Sequence, residues 1–169
     1  MTMPYAFFPA TEEIISDEPL VIRRVVRWGD CDPAGIAYTP RFLDYVVSAH
    51  EAFISLMLGG PIHTMKAAAG VDFPIRGVEI DFRSRLPLDS QFDMAVWVGA
   101  IRSRTFDLHI TARLVAAEGK RQGPVAFVAR ISPITIDRVS KAGVVLPQAL
   151  RERLEAYAAA HPHQPEDKA

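Results

Sequence analysis

A single cysteine, Cys31, stands in 169 residues. It cannot form an internal disulfide, and its isolation excludes a disulfide scaffold and a multi-cysteine zinc site. Charge of one sign is also lacking. Nineteen basic residues face twenty acidic ones for a net charge of -1, which excludes the basic surplus of a nucleic-acid binder. No uncharged apolar stretch approaches the roughly 18 residues of a membrane span. The opening MTMPYAFFPATEEIISDEP has no basic start, and Pro4, Pro9, Glu12 and Glu13 interrupt any apolar run, so it is not read as a secretory signal. No repeat, P-loop, dinucleotide fingerprint or H-E-x-x-H spacing is found, although five histidines leave a His/carboxylate metal site open by count. What is present is 49% apolar and 23% charged residues, enough for a core and the length of one ordinary domain. The expected setting is soluble and reducing, the cytoplasm.

The periodicity changes along the chain. Leu20 to Trp28 (LVIRRVVRW) is β-branched and alternating, a strand whose arginines make its apolar face patchy. GDCDPAGIAYTP follows as a long loop. From Pro40 to Leu58 the period becomes helical. Asp44, Ser48, Glu51 and Ser55 form one polar stripe, while Phe42, Val46, Ala49, Phe53 and Leu56, widened by Leu43, Val47, Ile54 and Met57, form a broad apolar arc. Thr39 suits the N-cap, Pro40 the first helical position, and Gly59, Gly60 and Pro61 the end. Ile62 to Gly70 is ambiguous. Four alternating runs come next: Val78–Arg83, Phe92–Val98, Phe106–Leu114 and Val125–Ile131. Pro147 to Ala160 reads as a short amphipathic helix, and the tail after it as frayed. With no helix between the later strands, the class is α+β, and the broad arc requires an antiparallel sheet curled around the long helix.

Chemistry is expected in Asp30-Cys31-Asp32-Pro33-Ala34-Gly35-Ile36. Asp, Gly and Asp-Pro are ordinary turn formers. This turn, however, runs into a helix start, where backbone N–H groups lack partners and carry partial positive charge. A carboxylate beside such donors attacks a carbonyl or activates water while the donors hold the oxyanion. Asp30, the rival carboxylate, reads as a loop-stabilising acceptor. Cys31 has no histidine base nearby in sequence and reads as a buried hydrophobe. His50 on the long helix reads as a packed, hydrogen-bonded residue, with a His50–Asp32 pair as the alternative.

The stretch WGDCDPAGIAYTPRFLDY resembles the 4-hydroxybenzoyl-CoA thioesterase-like branch of the hot-dog-fold superfamily. The strand, helix and four-strand order fits that family over Leu20 to Asp137. The resemblance implies a hot-dog fold, with a sheet of about five strands around a central helix. Residues 1–19 are read as an N-terminal extension and 161–169 as a flexible tail, both outside the resemblance, with 20–160 as the thioesterase domain. The resemblance further implies hydrolysis of acyl-CoA thioesters without metal or prosthetic group. Asp32, immediately before Pro-Ala-Gly, would be nucleophile or general base, and the backbone N–H of Thr39 the oxyanion donor. The family often carries tyrosine or histidine at that position. Thr39 keeps the backbone donor and loses the ring, which Tyr38 partly replaces.

Ile101-Arg102-Ser103-Arg104-Thr105-Phe106 matches the family's basic-Ser/Thr-Phe segment, which contacts CoA phosphates. Arginine and hydroxyl donors suit that role, and a solvated hairpin tip is the plain alternative. Arg83 and Arg85 form a second basic pair with weaker support. Val47 falls where hydroxyaryl-specific members place a carboxylate, which implies an aryl group without that hydroxyl or a short aliphatic acyl group. An uncovered edge strand calls for a second copy, and the family forms dimers or dimers of dimers with the site at the subunit interface. A non-catalytic acyl-CoA or acyl-carrier binding module is the alternative function. A hydratase or dehydratase, which needs a different motif, ranks last.

Overall fold

The computed structural model describes residues 10–116 and 123–163. The chain runs through strands β1 (Glu12–Asp17) and β2 (Leu20–Val25), then a single 3-10 turn (Trp28–Asp30). Helices α1 (Arg41–Leu58) and α2 (Ile62–Ala69) follow. Strands β3 (Val71–Asp72), β4 (Ile75–Phe82), β5 (Gln91–Ile101), β6 (Phe106–Leu114), β7 (Val125–Pro133) and β8 (Ile136–Asp137) and helix α3 (Gln148–Ala160) complete it. Six strands form one sheet in the order β1-β2-β5-β6-β7-β4, antiparallel throughout, and β3 pairs with β8 alone.

The class is α+β as expected, with one strand more than the expected five. The added strand, β1, lies in the segment read as an extension. Its Ile14 and Ile15 are both exposed and a register shift falls between Ile14 and Ser16. The sequence alternation that marks a half-buried strand is therefore missing there. The strand expected to reach Trp28 stops at Val25, and the ambiguous segment is α2. Residues 164–169 of the expected tail lie outside the described residues.

Strand alternation divides the sheet. Ile22, Phe92, Met94, Val96, Leu108, Ile110, Ala112, Phe127 and Ile131 are buried on the inner face. The broad arc of α1 meets them through rings. Phe42 packs edge-on against Phe82 (centroids 4.8 Å apart) and Phe127 (5.3 Å), as Phe53 does against Tyr157 of the last helix (5.2 Å), and Tyr45 meets Phe92 at a tilt (5.2 Å). Rings dominate such cores because each buries a large apolar area. Arg24, the polar interruption of the β2 inner face, lies 4.6 Å over the Tyr45 ring. The carboxylate of Glu12 accepts from both Arg24 and Ser48, which ties β1 to β2 and α1. Gly59 ends α1 in the left-handed region at φ 77, a conformation that a side chain resists. Among the described residues no single helix is long and apolar enough to cross a membrane.

α3 closes one end of the core. The Tyr157 hydroxyl accepts from Leu20 N–H (2.8 Å) and donates to Val96 C=O (2.9 Å). It thereby spans β2 and β5 just past their last paired residues, Val21 and Ala95.

Candidate active site

The link from β2 to α1 is a miniature hairpin. Tyr38 N–H donates to Asp30 C=O (2.7 Å), Asp32 N–H to Ile36 C=O (3.0 Å), and Cys31 bridges Ala37. Pro33, Ala34 and Gly35 form its tip. Gly35 N–H closes the turn on Asp32 C=O (3.0 Å), with Gly35 at φ 74. The Asp32 carboxylate accepts Ala34 N–H (2.8 Å), an Asx turn that fixes its orientation. The hairpin is stitched to the chain after β4: Ala37 N–H donates to Leu86 C=O (2.8 Å) and Leu88 N–H to Gly35 C=O (3.0 Å).

Asp30 serves the loop. Its carboxylate accepts Arg27 N–H (3.0 Å) and lies 3.7 Å from Arg41 Nε. Burial, reinforced by the Asp30 charge, pushes the Tyr45 phenol well above its ordinary range. The Cys31 thiol is also raised, by burial first and then by Asp30, Asp32 and Asp89. That favours the thiol over the thiolate that nucleophilic chemistry needs.

At the start of α1, Arg41 N–H donates to Tyr38 C=O (2.8 Å), Phe42 N–H to Thr39 C=O (3.2 Å) and Leu43 N–H to Pro40 C=O (3.1 Å). Pro40 has no N–H. Thr39 N–H is left without an acceptor among the described residues. The first turn thus satisfies itself and leaves one donor at the positive end of the helix dipole.

A cavity of about 280 Å³ opens beside it, lined by Ile36, Ala37, Phe42, Phe82 and Leu86 together with Thr39, Arg83, Ser84 and Arg85. A second hollow of about 710 Å³ shares Ile36, Arg83, Ser84 and Arg85 and reaches Ala34, Gly35 and Pro87. Asp32 is paired directly opposite Ile36, which lines both. Tyr38 stands 54% exposed next to Thr39. Val47 is half-buried on α1, one turn beyond the exposed Leu43.

The Arg102–Thr105 segment lies elsewhere. It is the hairpin tip between β5 and β6, at the Phe106 end of β6. The Asp32 loop leaves β2 at Val25, which pairs with Gln91 at the opposite end. The nine residues of β6 separate the two ends, on the order of 27 Å. The Arg102 guanidinium forms a bidentate pair with buried Asp107 (3.1 and 3.0 Å). Ser103 C=O accepts Leu146 N–H and Arg104 C=O accepts Thr135 N–H, while the Ser103 and Arg104 side chains are exposed and Thr105 is buried. One chain therefore carries Asp32, Tyr38 and Thr39 on one loop, with Thr39 alone of the three lining the small cavity, and leaves Arg102, Ser103, Arg104 and Thr105 a strand's length away.

His50 does not pair with Asp32. It is buried and its Nε2 has no partner among the described residues. Burial, then Lys66, pushes its pKa down to about 4. Arg83 and Arg85, the basic pair with weaker support in the sequence, line the cavity beside Thr39, and Ser84, which the sequence reading passed over, lines it with them. The available signal was their position one step after an apolar strand that ends in Phe82.

The model of the thioesterase-like superfamily matches residues 26–154. Among curated proteins none matches the chain in sequence. Several solved structures share its fold. A thioesterase-superfamily protein from Jannaschia sp. CCS1 is 24% identical, with TM-score 0.72, over 89% of this chain and 96% of its own. A Staphylococcus aureus protein solved in complex with CoA is 11% identical, with TM-score 0.78, over 88% and 89%. The 1,4-dihydroxy-2-naphthoyl-CoA thioesterase from Synechocystis is 18% identical, with TM-score 0.67, over 79% and 93%.

Proposed function

This chain belongs to the thioesterase-like superfamily and is a thioester hydrolase; from that premise we propose that it cleaves an acyl-CoA with a small aromatic or short acyl group, using Asp32 and Thr39. The observation that carries this reading is that Thr39, whose N–H has no acceptor among the described residues, lines a cavity beside the loop that holds Asp32. The thioester carbonyl oxygen accepts that N–H. As charge develops on the oxygen, a donor already in place stabilises it at no cost in reorganisation. Asp32 attacks the carbonyl carbon, giving a mixed anhydride that water opens, or takes a proton from the attacking water. On both routes the carbon–sulfur bond breaks, the CoA thiolate leaves and takes up a proton, and the free acid forms. Single turnover in oxygen-18 water separates the routes, because only the anhydride route places label in the enzyme.

The cavity is at the lower edge of the roughly 300–1,000 Å³ usual for ligand sites, which supports a small acyl group. Val47 offers no partner to a ring hydroxyl. The reading of Arg104 and Ser103 as CoA-phosphate contacts, with Arg102 and Thr105 shaping their hairpin, requires a second copy of the chain. The sheet has two edges, β1 and β4. Antiparallel pairing of one edge with its twofold mate reverses the two ends of the sheet, so the hairpin of one copy lies at the same end of the joined sheet as the Asp32 loop of the other. The functional unit is accordingly a homodimer, alone or within a tetramer, with the site between subunits.

A panel of aromatic and aliphatic acyl-CoAs tests the reading through release of free thiol. Turnover of at least one small acyl-CoA is expected. Tight CoA binding with no thiol released from any member would instead mark a non-catalytic binding module.

A further inference from the structure

The wall of the small cavity carries a charge that hydrolysis of a neutral acyl group leaves unused. Its floor is apolar, formed by Ala37, Phe42, Phe82 and Leu86, while Arg83, Ser84 and Arg85 line both it and the adjoining hollow. Among the described residues, no acidic side chain lines either one. Arg83 is committed, since its Nε donates to Asp81 (2.7 Å). Arg85 is exposed and has no hydrogen bond or ion pair among the described residues.

The backbone that presents Arg85 is held on both sides. Ser84 N–H donates to Ala126 C=O (3.0 Å), and fully buried Leu86 accepts Ala37 N–H. A planar guanidinium on a fixed backbone, with a hydroxyl next to it, suits a carboxylate or phosphate oxygen.

An acyl-CoA offers anions at two places, the CoA phosphates and a charged acyl substituent. The phosphates lie beyond the whole pantetheine arm. A cavity this small, with the carbonyl at Thr39, holds the acyl group and excludes the phosphates. Building on the thioester-hydrolase reading, we propose that Arg85, assisted by Ser84, selects a small acyl group bearing its own negative charge, most simply a terminal carboxylate.

The test compares kcat/KM for glutaryl-CoA and pentanoyl-CoA, which share chain length and differ in the carboxylate, in the wild type, Arg85→Gln and Ser84→Ala. The wild type is expected to favour glutaryl-CoA by about tenfold or more, the size of one charge-assisted hydrogen bond. The ratio should fall to near one in Arg85→Gln, with a smaller fall in Ser84→Ala. The same preference should persist with the corresponding pantetheine thioesters, which lack phosphate. A wild type without preference, or one that favours pentanoyl-CoA, overturns the proposal. So does an Arg85→Gln protein that loses equally on both CoA esters but not on the pantetheine esters, which would assign Arg85 to phosphate. If the wild type cleaves no thioester, the hydrolase reading fails separately, and calorimetry with the intact esters decides. Tighter glutaryl-CoA binding that is lost in Arg85→Gln upholds selection of the anion, and equal binding ends it.

Discussion

Asp30 and Asp32 are separated by one residue, and hydrogen bonding gives them different fates. Asp30 holds Arg27 N–H and faces Arg41, whereas the Asp32 carboxylate accepts Ala34 N–H within its own turn. The Asp-x-Asp-Pro-Ala-Gly spacing made both legible as loop carboxylates in the sequence. Their division of labour depends on Arg41 folding back from α1, which spacing cannot reveal. Thr39 was legible as a helix-start residue. That its N–H has no acceptor among the described residues goes with the tight first turn of α1, whose own N–H groups bond back to Tyr38, Thr39 and Pro40. Replacing Thr39 with Pro deletes this donor and is expected to lower kcat by about 10²-fold or more. Circular dichroism and denaturant midpoint check that the helix survives, and unchanged turnover would place the oxyanion donor elsewhere.

His50 yields a second prediction at this scale. Its folded pKa of about 4 lies below the ordinary 6.5. The unfolded chain therefore binds the extra proton between these values, and stability is lost as pH falls through that window. Between pH 7 and pH 4.5 the wild type should lose roughly 2–3 kcal/mol more than His50→Leu. Urea denaturation at the two pH values measures the difference, and equal losses would show that His50 protonates without cost.

Among elements, α1 was the most legible, because its 18 residues repeat their apolar and polar rows for five turns and glycine ends them. The β5, β6 and β7 alternations were also plain, as each has one face on the core. β1 was not legible, since it earns its place through pairing with β2 and through Glu12, not through a buried face of its own. The seam between β2 and β5 could not be read at all. Past the last paired residues, Val21 and Ala95, it is closed by the hydroxyl of Tyr157, 61 residues from Val96 and 137 from Leu20. Tyr157→Phe leaves a buried N–H and a buried C=O without their shared partner, and should cost about 2 kcal/mol. A denaturant midpoint equal to that of the wild type would show that the strands close on each other without the hydroxyl.

For the whole molecule, the proposed homodimer rests on the distance between the Asp32 loop and the Arg102–Thr105 hairpin. Both segments were visible in the sequence, but only the strand order places them at opposite ends of one sheet. Light scattering at micromolar concentration is expected to give at least twice the mass of the chain, and a monomer would remove the shared site. Mixed dimers probe the sharing itself. In a dimer of one Asp32→Asn chain and one Arg104→Glu chain, one site carries both changes and the other neither. The mixture should then exceed the activity of either parent. Activity no higher than that of the parents would mean that each site belongs to one chain.

The proposed hydrolysis turns most directly on the Asp32 carboxylate. Its measurement is steady-state thiol release from the best acyl-CoA of the panel by Asp32→Asn, in a protein that keeps the helical signal and mass of the wild type. A fall in kcat of about 10²-fold or more is predicted, the usual contribution of a positioned base or nucleophile. Turnover within a few fold of the wild type would contradict it.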